Sequence, residues 1–179
     1  MLKILRQIAS TGIVSESPPA PDDGLRIRDG LQDHIRAVLG RALCIRHIDA
    51  GSCNGCELEI HALNNPLYNL EGLGIRFVAS PRHADLLLVT GPVSKHMEGA
   101  LRRTYEATPD PKLVVALGDC GCTGGIFGEN YASLGRVSNV IPVNVAVPGC
   151  PPSPTQILQG ILTAISPPPA QAADDGEKL

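Results

Sequence analysis

A chain of 179 residues with 15 basic and 18 acidic side chains has the size of one domain, and its net charge of −3 offers no basic excess for nucleic acid. Three Tyr, two Phe and no Trp leave no platform for stacking bases, so nucleic-acid partners are excluded. Apolar residues at 43% suffice for a packed core and argue against wholesale disorder, while 19 Gly and 16 Pro predict a loop-rich domain.

Residues 1–14 are short and amphipathic, with Leu2, Ile4, Leu5 and Ile8 apolar and Lys3 and Arg6 interspersed. Residues 15–23 (SESPPAPDD) read as a linker, because three prolines and three acids suit neither a helix nor a central strand. Residues 24–43 have helical spacing, with Leu31, Ile35, Val38 and Leu39 on one side. Residues 44–48 alternate as a strand, and residues 57–70 predict a helix burying Leu63, Leu67 and Leu70.

Residues 75–79 and 84–89 read as strands about a turn at Pro81, and residues 93–108 as a helix opening near Pro92 and ending before Pro109. KLVVAL (112–117) is a buried strand, and residues 140–147 are a further extended stretch. Residues 155–165 form a helix with Ile157, Leu158, Ile161, Leu162 and Ile165 as its stripe, and the tail from Ser166 has the composition of a flexible end.

Strands alternating with helices predict an α/β domain over residues 24–165. The expected fold is a flavodoxin-like, largely parallel sheet with helices on both faces. Residues 1–23 are then an amphipathic segment and linker, and residues 166–179 a tail. No apolar run approaches the roughly 18 residues of a membrane-spanning helix. Residues 1–8 do not read as a signal peptide, so the chain reads as cytoplasmic.

In a reducing compartment six cysteines point to metal or redox chemistry rather than to a disulfide framework. Three predicted strands run into cysteine loops: GSCNGC (51–56), GDCGC (118–122) and PGCPP (148–152). Carboxyl ends of parallel strands share one edge, so distant cysteines can meet there around a four-thiolate metal or cluster. Glycines beside them admit a bulky anionic group, and Cys56 opens a helix whose N–H groups favour thiolates. An isolated C-x-x-C also fits a redox pair, and four cysteines also fit a structural zinc in a binding module. Zinc sites, however, usually show two close pairs, whereas here one pair is joined by single positions at Cys120 and Cys150. Cys122 competes with Cys120 for its place, and Cys120 is favoured. Cys44 reads as a small core residue. Glu57 and Glu59 suit a helix start without any further role, and His47, His61, His83 and His96 show no paired spacing. Residues 124–128 (GGIFG) form an apolar loop beside Cys120, either a turn or a surface for a partner.

DAGSCNGCELEI (49–60), with GDC (118–120), GG (124–125) and PGCPPSP (148–154), resembles the small subunit of membrane-bound, energy-conserving nickel–iron hydrogenases of the formate-hydrogenlyase and hydrogenase-4 type. That family also includes the complex I subunit carrying the terminal iron–sulfur cluster before quinone. The complex I subunit uses two adjacent cysteines, whereas Cys53 and Cys56 are spaced C-x-x-C, which favours the hydrogenase branch.

The resemblance implies one 4Fe–4S cluster at the carboxyl ends of the strands, held by Cys53, Cys56, Cys120 and Cys150. Glu57 falls beside the cluster in this pattern, where it suits proton transfer. The resemblance further implies electron relay between a ferredoxin-like subunit and the Ni–Fe site of a large catalytic subunit. The protein is then peripheral on the cytoplasmic side of the inner membrane, held by membrane subunits of the complex. The alternative is a complex-I-like subunit whose partner passes electrons to quinone or another acceptor without Ni–Fe chemistry. Cys122 departs from the small apolar residue expected after this motif.

Overall fold

The strand Leu86–Thr90 (LLLVT) is buried at every position, as expected of a central strand covered on both faces. Around it the chain builds a five-stranded sheet. In the computed structural model, which describes residues 2–11, 33, 35–37 and 39–166, the elements run in order as α1 (Leu2–Thr11), β1 (Leu43–Asp49), α2 (Gly55–Ala62), β2 (Ile75–Phe77), β3 (Leu86–Thr90), α3 (Lys95–Ala107), β4 (Leu113–Leu117), α4 (Gly118–Thr123), β5 (Val145–Val147) and α5 (Pro154–Ile165). The strand order is β2-β1-β3-β4-β5 and every pairing is parallel, the flavodoxin-like order expected. The predicted linker and Leu31 and Val38 lie outside the described residues, as does the tail beyond Ser166. Ile35 is buried, and Leu39 packs against the same core.

Two apolar layers sandwich the sheet. One joins Ile45, Leu88 and Leu117 to Ile60 of α2 and to Ile157, Leu158, Ile161 and Ile165 of α5. The other joins Leu87, Val89 and Val114 to Leu101 of α3 and to Val137 and Ile141. Ser94 caps α3 by accepting from the Met97 N–H at 3.3 Å, and Ser153 with Gln156 forms a capping box on α5 behind Pro154. The helices therefore begin where serine and proline mark their starts. On α1, Leu2 and Ile4 are exposed.

The sequence expectation differs from the structure at three places. The helix placed over residues 57–70 ends at Ala62, and a 3₁₀ turn follows at Leu70–Leu73. Asn65 stops it, its Oδ1 accepting from the Leu67 and Tyr68 N–H groups at 2.9 and 3.0 Å. Leu63 and Leu70 are buried as expected, whereas Leu67 is exposed. The stretch 140–147 is a strand only over Val145–Val147. The short helix α4, carrying Cys120 and Cys122, stands where a loop is expected.

The register sets the site. Asp49 pairs with Thr90, Thr90 with Leu117, and Leu117 with Val147, so four strands end at one level. Cys120 and Cys150 each fall three residues beyond that level and Cys53 four, so all three are delivered to the same edge.

Candidate metal centre

The loop carrying Cys53 is held by its own polar groups. Asp49 Oδ1 accepts from the Gly51 and Ser52 N–H groups at 2.8 and 2.7 Å, folding the chain back at the end of β1. Ser52 Oγ accepts from the Asn54 N–H at 3.0 Å and donates to Glu57 Oε2 at 2.5 Å. Glu57, one turn into α2, is only 8% exposed, and its other oxygen accepts from the Thr90 hydroxyl at the end of β3. His47 Nε2 lies 3.0 Å from Thr90 Oγ1 and 3.5 Å from Glu57 Oε1. Thr90 has one hydroxyl proton, and with that proton given to Glu57, His47 is the donor to Thr90. A buried carboxylate thus clamps the Cys53 loop to β1 and β3.

The other thiols arrive beside it. Cys56 Sγ packs on the backbone of Gly118: a Cβ built there would lie 2.6 Å from that sulfur and 3.4 Å from the Gly149 carbonyl oxygen. Gly118 also has φ +81°, a conformation that disfavours a side chain. At Gly125 a Cβ would lie 2.8 Å from Cys120 Sγ, so glycine makes room for a second sulfur. A Cβ at Gly55 would stand 3.6 Å from Cys53 Sγ and 3.9 Å from Cδ of Pro151, which follows Cys150. Asp119 and Gly149, the residues before Cys120 and Cys150, are hydrogen-bonded to each other.

The four thiols share one electrostatic environment. Burial pushes the Cys56 thiol up to about 12, reinforced by negative charge on Glu57 and then on Cys53, Cys120 and Cys150. Burial raises the Cys120 thiol too, with charge on Cys150 and Cys53 adding to it. Cys53 and Cys150 are exposed, so this group opens on the surface. None of the six cysteines is in a disulfide. Among the described residues, no group of three or more His, Cys, Asp or Glu side chains is placed to hold a metal ion.

Cys122 is turned elsewhere. Its Sγ lies 3.5 Å from the Ala116 carbonyl, and it packs against the apolar layer on the α3 side. Burial, with the charge of Asp119, pushes its thiol up to about 11. Cys44 is a buried strand residue, as expected. The clamp of Glu57, Thr90 and His47 and the bridge from Asp119 are not evident in the sequence. Their one signal is a threonine closing an otherwise apolar buried strand. Loop 124–128 lies against Cys120 through Gly125 and exposes Ile126 and Phe127.

The family model for the NADH ubiquinone oxidoreductase 20 kDa subunit matches residues 53–164. The chain is 46% identical over 127 residues to a probable membrane-bound hydrogenase subunit, mbhJ, of Pyrococcus furiosus, covering 71% of this chain and 76% of that one. It is 44% identical over 146 residues to an NADH-quinone oxidoreductase subunit of Desulfovibrio desulfuricans, covering 78% of each. Among solved structures, a chain of the membrane-bound sulfane sulfur reductase, an archaeal respiratory membrane complex, superposes with a TM-score of 0.61 at 32% identity, covering 80% of this chain and 75% of that one. No helix among the described residues is long and apolar enough to cross a membrane. With the parallel sheet, the strand-end cysteines and these likenesses together, the chain is an oxidoreductase subunit and belongs to the family of the NADH ubiquinone oxidoreductase 20 kDa subunit.

Proposed function

We propose that this chain is the electron-transfer subunit of a membrane-bound hydrogenase, with Cys53, Cys56, Cys120 and Cys150 holding one 4Fe–4S cluster that relays electrons from a ferredoxin-like subunit to the Ni–Fe site of a large subunit. The observation that carries this reading is the gathering of these thiols, from three separate strand ends, into one charge environment behind glycines that leave room for sulfur. Such a set fits a cationic centre: thiols that repel one another as thiolates are relieved by positive charge between them. When bound, a cluster of this kind takes up and releases single electrons at a potential set by charge, hydrogen bonding and solvent exposure.

The chain's own residues supply the rest. Glu57, Ser52 and Thr90 fix the Cys53 loop, and Asp119 fixes the Cys120 and Cys150 loops to each other. The exposed thiols lie where a partner subunit can approach, and the protein would sit on the cytoplasmic side of the membrane, held by its partners.

The likeness to the NADH-quinone oxidoreductase subunit supports a second reading, in which the partner passes electrons to quinone without Ni–Fe chemistry. The C-x-x-C spacing of Cys53 and Cys56 favours the first. The test is metal and sulfide analysis of the anaerobically purified complex, with low-temperature EPR after reduction. The expected result is iron with acid-labile sulfide and a cluster signal that Cys150→Ser abolishes or weakens and Cys44→Ser leaves intact. Zinc without sulfide, or an unchanged signal in Cys150→Ser, overturns the proposal. Nickel in the complex, or paired C-x-x-C motifs at both ends of its large subunit, selects the hydrogenase reading over the quinone one.

A further inference from the structure

The sheet's opposite edge carries positive charge that no acidic side chain among the described residues fully neutralises. Where β1, β2 and β3 begin, a cavity of about 410 Å³ is lined by Arg41, Arg76, Arg82, His83 and Asp85, with Val78 in its wall. Its one carboxylate is already engaged: Asp85 receives both Arg41 nitrogens, at 2.6 and 3.0 Å, and the Cys44 N–H at 3.0 Å. Asp85 therefore neutralises Arg41 alone. The Arg76 and Arg82 guanidiniums have no hydrogen-bond or ion-pair partner among the described residues. Arg46 lies on the same face of β1 as Cys44, two residues along, and its Nε is a buried side-chain nitrogen without a partner. Pro81 opens the 3₁₀ turn that carries Arg82 and His83, which fixes the direction of that rim.

We infer that this cavity binds a phosphate-bearing ligand, with the Arg76 and Arg82 guanidiniums as its recognition groups. Guanidinium forks match the paired oxygens of a phosphate, and two in one concavity favour a tetrahedral dianion over a single carboxylate. The volume falls in the range of small-ligand sites, and the apolar wall at Val78 suits the organic part of a phosphate ester. Free phosphates and phospholipid headgroups share this chemistry. The site lies at the end of the strands away from Cys53, Cys56, Cys120 and Cys150, so it stands or falls separately from the proposed cluster.

The test is calorimetric titration of the full chain with inorganic pyrophosphate in low-salt buffer, alongside co-sedimentation with vesicles of phosphatidylglycerol or of phosphatidylcholine. The geometry predicts saturable binding at one site, weakened about tenfold or more in Arg76→Ala and in Arg82→Ala, which remove charge-assisted bonds. Arg103→Ala should bind as the unaltered chain does, because Arg103 sits on α3 with its Nε given to the Gly99 carbonyl. Arg76 and Arg82 are exposed, so their removal leaves the core intact, and circular dichroism checks this. Arg76→Lys, which keeps the charge but loses the fork, should fall between the unaltered chain and Arg76→Ala. Pyrophosphate binding assigns a free phosphate as the ligand source. Phosphatidylglycerol binding without pyrophosphate binding, lost in the same variants, assigns the headgroup. Equal binding by the alanine variants, binding of neither probe, or preferential binding of a poly-glutamate peptide overturns the inference.

Discussion

Asp119 and Gly149 are bonded to each other twice. The Asp119 N–H donates to the Gly149 carbonyl, and the Gly149 N–H donates to Asp119 Oδ1, both at 2.8 Å. Each residue immediately precedes a cysteine of the site, so one side chain sets the spacing of two loops thirty positions apart.

Asp119→Ala removes the side-chain half of this bridge and leaves the Gly149 N–H without its acceptor. A loss of about 1–2 kcal/mol in unfolding free energy is expected from a bond of this kind. Denaturant titration of the full chain checks it. The same variant should retain less iron after anaerobic purification, which elemental analysis reads.

Gly118→Ala places a methyl group 2.6 Å from Cys56 Sγ, on a backbone with φ +81°. Strain and overlap together should cost about 1–3 kcal/mol, read as a lowered denaturation midpoint. Gly128→Ala, also at positive φ but with no neighbour within 4 Å, is the control that isolates backbone strain.

Burial lowers the His47 titration point from its usual 6.5, a shift opposed by the charges of Glu57 and Asp49. The folded chain therefore resists taking up a proton that the unfolded chain accepts. This contribution to stability is complete above pH 6.5 and is lost as pH falls below it toward the depressed value in the fold. Unfolding free energy measured from about pH 7.5 down to about pH 5 should decline with acidification, and His47→Gln should flatten that decline.

In the metal-free chain, iodoacetamide at about pH 8 should modify the exposed Cys53 and Cys150 first. Cys56 and Cys122, with thiols pushed up to about 12 and about 11 by burial, should react at least about tenfold more slowly. Peptide mass spectrometry over a time course distinguishes them, and rapid labelling of Cys56 would show that its sulfur is not packed on Gly118.

Much of this architecture is legible in short apolar runs. Leu86–Thr90 and Leu113–Leu117 are strands of five residues each, too short and too thoroughly buried for anything but a central parallel sheet. The cysteine loops are legible because each follows a predicted strand. Where reading the sequence fails, a side chain has competed with the backbone pattern. Asn65 ends α2 by taking two N–H groups, although the leucine spacing continues past it. Asn144 binds Val114 through both side chain and backbone, which shortens β5 to its last three residues. The clamp on the Cys53 loop was hidden for a different reason. Glu57 looks like an ordinary helix-opening acid until the fold brings Thr90 to it from thirty-three positions away.

The two outermost strands, β2 and β5, are only three residues long. So brief a margin offers few free main-chain groups to an incoming segment, which guards against edge-to-edge aggregation. Among the described residues, these short margins leave loops and side chains, rather than strand edges, as the larger surface open to contact.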